Sequence, residues 1–271
     1  MAHKLSYRKE ELVSMYQSGM SFYRIAKAIG EYEQAVSNVI RSVIDIPKKE
    51  RLKIKENYFK SIDSVGKAYF LGLIAADGAI VRNSDGYLTM TISLSSEDGY
   101  ILEVLKRETE AETTIKEYAQ SYQKEDRTTY TQSRFVTANQ NFVQNLIDLG
   151  MTERKSMSLP NLLEIVEEEF RIDFIRGYFD GDGSIFKTVT SGTQERHYCS
   201  IRGTEAVLLG IKSELPFNGG SILWGGNGTP NGGQFAWRFG AKKDIKTFRD
   251  LIYHDNIEDY YLTRKYNKFP G

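Results

Sequence analysis

A single cysteine, Cys199, is all that 271 residues contain. An internal disulfide and a cysteine-based zinc cluster are therefore excluded, which fits a reducing cytosol. Histidine is nearly as scarce: His3, His197 and His254 stand apart, so a His-ligated zinc site is not expected. No run of about 18 apolar residues occurs, and no membrane span is expected. Residues 1–7 lack the apolar core of a secretory signal. Net charge is absent as well, with 36 Lys and Arg against 36 Asp and Glu. The distribution is uneven: residues 1–60 hold 12 basic against 7 acidic side chains, leaving 24 against 29 for the rest. Local placement of cations governs phosphate contacts, so a zero sum neither supports nor excludes a polyanionic partner.

The basic first segment has the pattern of three short helices. Residues 7–18 place Leu12, Val13 and Tyr16 at helical spacing, with Gly19 as the stop. Ser21 can cap a second helix over 22–29, closed by Gly30. A third runs from about 31 to 44, with Ala35, Val36, Val39, Ile40 and Val43 on one side and Gln34, Ser37, Asn38 and Arg41 on the other. The stretch SGMSFYRIAKAIGEYEQAVSNVI resembles the helix-turn-helix of small DNA-binding modules, with Ala26 at the helix contact and Gly30 in the turn. Lys27, Asn38 and Arg41 are its candidate DNA contacts. A plain three-helix bundle for protein contacts is the alternative. Pro47 then stops the helix, and the charge run KKERLKIKENYFK, which contains Lys53, follows. Such a run is either a solvated face or a linker lying along phosphates. The expected domains are 1–46, a linker over 47–63, and two repeats over 64–160 and 161–271.

Those repeats are the most informative feature. AYFLGLIAADGAI at 68–80 aligns without a gap to DFIRGYFDGDGSI at 173–185, pairing Gly72 with Gly177, Ala76 with Gly181, Asp77 with Asp182 and Gly78 with Gly183. Each copy continues into strands, a helix, more strands, a second helix and a basic ending, MTERKSMSL or YYLTRKYNKF. Residues 87–95 alternate cleanly, with Leu88, Met90, Ile92 and Leu94 on one face and Thr89, Thr91 and Ser93 on the other. Strands are also expected at 133–137, 198–202, 221–224 and 235–239, and helices at 98–108, 139–149, 205–215 and 242–253. Each half is then β-β-α-β-β-α after its motif helix.

On a helix capped by Ser64 and ended by Gly78, Gly72 and Ala76 share one face, as Gly177 and Gly181 do in the second copy. Small residues at that spacing let two helices meet backbone to backbone. Pairing them about a pseudo-twofold axis brings Asp77 and Asp182 together at the helix ends, an arrangement disfavoured by both the dipoles and like-charge repulsion. Two such carboxylates with open positions suit Mg²⁺, which can activate water in phosphodiester hydrolysis.

The segments FLGLIAADG and IRGYFDGDG resemble the two motifs of single-chain LAGLIDADG homing endonucleases, and the likeness extends over roughly residues 60–270. The resemblance implies an α+β fold: a pseudo-twofold pair of repeats with saddle-shaped antiparallel sheets, here preceded by a small all-α helix-turn-helix domain. It implies a monomeric enzyme, without membrane attachment, that cuts both strands of a long asymmetric double-stranded DNA site. The expected location is cytoplasmic, on the nucleoid when DNA-bound. The expected cofactor is Mg²⁺ or Mn²⁺, held by Asp77 and Asp182 with Gly78 and Gly183. The basic catalytic residue of each half falls on Lys155 and Lys265, with Arg154 and Arg264 adjacent. The earlier acidic position of the motif survives as Asp180 but is Ala75 in the first copy. DNA would be read by the polar sheet faces, which include Thr89, Thr91, Ser93, Arg134, Arg202 and Arg238. The alternative is a non-cleaving DNA-binding regulator, or a maturase, on the same fold. Retention of both terminal aspartates favours cleavage.

Overall fold

The computed structural model describes residues 8–45, 52–83, 86–121, 129–153, 155–190, 194–224, 234–255, 257 and 259–270. Its contacts divide the chain into two units, Met1–Arg51 and Leu52–Gly271.

The first unit is three helices, α1 (Lys9–Gln17), α2 (Phe22–Ile29) and α3 (Glu33–Val43). Ser21 caps α2 by accepting the Arg24 N–H, and Gly30 ends it in the left-handed conformation at φ 72°, where glycine meets no Cβ penalty. Leu12, Val13, Ile25, Ala26, Val36 and Ile40 form the core, against which the stacked rings of Tyr16 and Phe22 pack. α3 starts two residues later than expected, because Glu31 and Tyr32 still belong to the turn. Its apolar stripe also ends sooner: Val43, in the last turn, is 46% exposed. Pro47 and residues 48–51 lie outside the described residues.

The expected linker is corrected from residue 52 onward. Ile54, Tyr58, Phe59 and Ile62 are buried in the core of the second unit. The Lys55 N–H donates to the Thr109 carbonyl at 2.7 Å, and Glu56 receives the side-chain amides of Asn139 and Asn141. The Lys53 N–H donates to the Glu112 carboxylate and the Lys53 carbonyl accepts the Glu112 N–H, while the Lys53 ammonium stays exposed 3.7 Å from the same carboxylate. This stretch is thus a strap on the first repeat rather than a strand free to follow phosphates.

The repeats follow the expected order. The first comprises α4 (Val65–Asp77), β1 (Gly78–Arg82), β2 (Leu88–Ser95), α5 (Gly99–Glu108), β3 (Lys116–Ser121), β4 (Thr129–Thr137), α6 (Gln140–Asp148) and the short α7 (Lys155–Ser158). The second comprises α8 (Arg171–Asp182), β5 (Gly183–Thr190), β6 (Gln194–Gly203), α9 (Glu205–Ser213), β7 (Ser221–Trp224), β8 (Phe235–Phe239), α10 (Lys242–Ile252) and α11 (Thr263–Tyr266). Each forms a four-stranded antiparallel sheet, ordered β1-β2-β4-β3 and β5-β6-β8-β7. In β2 the even residues Leu88 to Leu94 are buried and Thr89, Thr91 and Ser93 are half-buried, as period-two alternation requires. Both motif helices are buried on nearly every side: all of Ala68 to Ala76 in the apolar α4, and Asp173 to Asp180 in α8, where the charged Asp173, Arg176 and Asp180 are buried as well. A helix of that kind belongs in the middle of a core. Among the described residues no helix is long and apolar enough to cross a membrane.

Candidate active site and nucleic-acid interface

The site begins where α4 and α8 cross. A Cβ on Gly72 would lie 2.8 Å from the Tyr178 nitrogen and closer still to the Phe174 carbonyl oxygen. A Cβ on Gly177 would lie 2.8 Å from the Tyr69 carbonyl carbon, 3.0 Å from the Leu73 nitrogen, and closer still to the Tyr69 oxygen. The two sets are symmetry counterparts, since 69, 72 and 73 correspond to 174, 177 and 178. The expected backbone-to-backbone contact is present, and it is two-fold in character.

That crossing carries both helices to a shared end. A Cβ on Gly181 would run into the Ala76 methyl and stand 3.1 Å from Asp77 Oδ2, so Asp77 leans across onto the partner helix. Asp77 keeps an open edge to solvent while Asp182 is half-buried. Even so, the protein mass around Asp77, and next the charge of Asp182, push its pKa up to about 6 against the pull of Lys155, Lys265 and Arg264. Desolvation raises Asp182 too, opposed by Lys155, Lys265 and Arg202. The sequence pattern paired these carboxylates, and the charge of Asp182 is felt at Asp77.

Lys155 and Lys265 occupy equivalent places, though not as side chains reaching out into a groove. Both are buried, and each turns its ammonium into the carbonyl end of a motif helix. Lys155 donates to the carbonyls of Ala75, at 2.7 Å, and Ala76. Lys265 donates to Phe179 and Gly181, at 3.3 and 3.2 Å, and to Gly183. Unpaired carbonyls and a negative dipole end favour a cation there. Burial in turn lowers both lysines, Lys265 to about 8 with a further contribution from Arg264. The Gly183 carbonyl, expected to help hold a metal, already receives Lys265, so one of its two lone pairs is occupied. Arg264, the neighbour that competed with Lys265 for the basic role, is committed elsewhere: it pairs with the buried Asp98 of the first repeat at 2.5 Å. Arg154 lies outside the described residues.

Asp180 has a role that the sequence did not disclose. Its carboxylate is fully buried and accepts from Tyr69 Oη at 2.9 Å, Tyr253 Oη at 3.0 Å and the Leu262 N–H at 2.7 Å. Burial raises it to about 7 despite these donors. Arg176, equally buried, pairs with Asp173 at 2.7 Å and donates to the Tyr260 carbonyl at 2.7 Å. Together they fasten residues 260–262 to α8, and that segment delivers Lys265. Tyr100 of the first repeat adds a hydrogen bond to the Tyr261 carbonyl.

The candidate base-reading side chains sit where alternation places them. Thr89, Thr91 and Ser93 lie on the outer face of the first sheet, where Arg134 donates to Ser93 Oγ at 2.9 Å and lies over the Tyr118 ring. Arg202 and Arg238 are exposed on the second, Arg238 over Phe186. Arg202 also lines a cavity of about 140 Å³ that contains Asp182, Lys155, Tyr178, Thr204 and Gln234, which sequence alone did not bring together. In the first unit, Lys27, Asn38 and Arg41 are exposed; Asn38 accepts from Gln34 and Arg41 donates to Ser37.

Whether the carboxylates fit a metal can be judged from the donors. No group of three or more His, Cys, Asp or Glu side chains is gathered among the described residues, so a caged ion is not provided for. Two hard, desolvated oxygens that repel each other, with room around them, match an ion that keeps most of its waters, which is the habit of Mg²⁺.

No protein-family model matches the sequence. A probable intron-encoded endonuclease of Neurospora crassa is 33% identical over 105 residues, which are 39% of this chain but only 17% of that protein. Among solved structures, the homing endonuclease I-WcaI bound to its DNA recognition sequence superimposes with a TM-score of 0.53 at 14% identity, covering 79% of this chain and 91% of that one. I-DmoI, solved in complex with DNA and Mn, gives 0.41 at 16% identity, covering 73% and 99%. The chain shares its α+β fold with the homing endonuclease I-WcaI over most of its length.

Proposed function

We propose that the chain is a divalent-metal-dependent homing endonuclease that hydrolyses both strands of a long, asymmetric double-stranded DNA site as a monomer. The observation that carries this is the meeting of Asp77 and Asp182 at the ends of two interlocked helices, with Lys155 and Lys265 beneath them. Asp77 and Asp182 would hold Mg²⁺ or Mn²⁺, which supplies activation of water and neutralises charge on the departing oxygen. The rest is done by the chain itself. The two buried lysines offset four sources of negative potential, two carboxylates and two helix ends, so that a phosphodiester is not repelled from the centre. The outer sheet faces, through Thr89, Thr91, Ser93, Arg134 and Arg238, fit a role in fixing register along the grooves. The helical unit, through Lys27, Asn38 and Arg41, fits a second, smaller DNA contact.

The test is to incubate the protein with a randomised duplex library and Mg²⁺ or Mn²⁺ and to map any breaks. Specific breaks are expected, and they should vanish in Asp77→Asn and Asp182→Asn, with DNA affinity kept within about tenfold, roughly 1.4 kcal/mol. Specific binding without breaks in the parent would instead favour a non-cleaving regulator.

A further inference from the structure

Resting on the endonuclease reading, we propose that the two strands are cut in a fixed order, the first at the phosphate seated beside Asp182, where Arg202 is the phosphate-positioning residue. Strand register matches the two repeats residue by residue. Gly78 pairs with Ile92, and its counterpart Gly183 pairs with Ile201. Ser93 is therefore the counterpart of Arg202. Across the next pairing, Ser93 faces Arg134 while Arg202 faces Ala236. Each repeat thus places one arginine on the same cross-strand pair, but on opposite strands.

The consequences differ. Arg134 is held by its hydrogen bond to Ser93 and by the Tyr118 ring, 4.6 Å away on the edge-strand side. Arg202, opposite a methyl group, is exposed and lines the cavity that contains Asp182, Lys155 and Gln234. At about 30 Å³ per water, a cavity of about 140 Å³ accommodates a phosphoryl group's oxygens and an attacking water. On the Asp77 side the extra cation is Arg264, already engaged by Asp98. Among the described residues, one centre therefore offers a lysine and a guanidinium with no ion pair of its own, the other a lysine and a guanidinium held by the buried Asp98. In the hydrolysis itself, a water oxygen bonds to phosphorus, one P–O ester bond breaks, and the departing oxygen leaves as a hydroxyl after taking up the water's proton. A guanidinium on the non-bridging oxygens stabilises the charge that gathers there.

The experiment uses a duplex recovered from the cleavage library, with a different fluorophore on each strand, under single-turnover conditions with Mg²⁺. The parent should accumulate duplex nicked in one strand only. Arg202→Gln should slow that same strand by at least about tenfold while leaving the other within about threefold, and Arg202→Lys should recover part of the loss. Gln234→Ala, on the same cavity, should slow the same strand. DNA affinity without divalent ion should stay within about threefold in all three, which separates phosphate positioning from general binding. Simultaneous cutting by the parent, equal slowing of both strands by Arg202→Gln, or slowing of only the second strand would each overturn the proposal. A parent that cuts no duplex with either ion refutes the endonuclease reading, and the strand order falls with it.

Discussion

Replacing Gly177 with alanine tests the crossing on which the whole site depends. The new methyl carbon would stand 2.8 Å from the Tyr69 carbonyl carbon, with the Tyr69 oxygen nearer still. Carbon atoms in ordinary contact are about 3.5–4.0 Å apart, so the helices must separate by roughly 1 Å. No side chain can rotate away, because the obstacle is backbone. Overpacking costs about 1–3 kcal/mol, and a backbone obstacle argues for the upper end. Against that, alanine gains about 1 kcal/mol over glycine inside a helix. The net loss is about 2 kcal/mol, or about 4–8 °C in Tm at about 2–4 °C per kcal/mol for a domain of this size. Thermal melts followed by circular dichroism, without DNA or divalent ion so that neither adds stability by binding, would measure it. Gly72→Ala should behave alike, and the double variant should lose less than the sum, since one displacement relieves both clashes. A Gly177→Ala melt within about 1 °C of the parent would refute the packing argument, as that shift corresponds to under about 0.5 kcal/mol.

The raised Asp77 pKa has a sign that can be checked. Native Asp77 keeps its proton to about pH 6 while the unfolded chain releases it near 3.8, so the native state binds more protons in between and metal-free stability should fall as pH rises through that window. Saturating Mg²⁺, which needs the ionised form, should oppose the fall, and calorimetric Mg²⁺ affinity should drop below about pH 6; a pH-independent affinity would deny Asp77 a ligand role. Asp180→Asn should cost about 1–3 kcal/mol in a urea melt, because an amide turns a donor toward groups that already donate; an unchanged midpoint would remove Asp180 from the clasp. A protein beginning at Leu52 should fold and still cut its site, with a footprint shortened on one side only. Its slope of log K against log salt should be shallower by about 0.9 for each phosphate that the helical unit had neutralised. An unchanged slope and footprint would assign the three helices to another partner.

Much of this site was legible because its signals are local. Ser64 and Ser21 cap the helices they precede, Gly30 takes the left-handed turn, and the alternation in 88–95 survives intact. Small residues four apart, Gly72 with Ala76 and Gly177 with Gly181, announced the helix crossing through sterics alone. What escaped depends on distant arrivals. Nothing near Asp180 forecasts Tyr69, Tyr253 and the Leu262 N–H converging on it, since these come from three separate elements. Arg202 was grouped with base-reading residues because its strand face was known, whereas its proximity to Asp182 depends on register. In KKERLKIKENYFK the lysines hid Ile54, Tyr58 and Phe59, whose burial outweighs the charge of the exposed residues between them.

The departures between the two motifs follow from the same geometry. At the crossing, position 76 faces position 181, and a methyl on each would collide. One can be alanine only if the other is glycine. Two identical chains related by a true two-fold axis would have to carry the same residue at both places, so an Ala–Gly pair is open only to repeats that can differ. The position one residue earlier obeys a similar logic. Ala75 offers only its carbonyl, which receives Lys155. Asp180 answers a different need, holding the Tyr260–Leu262 stretch so that Lys265 reaches the end of α8. The basic residues thus arrive at equivalent places by unequal routes, one from the connection between repeats and one from the end of the second. On the endonuclease reading such a centre has no reason to treat two DNA strands alike, and the placement of Arg202 opposite Ala236, with Arg134 opposite Ser93, extends that inequality from the helices into the sheets.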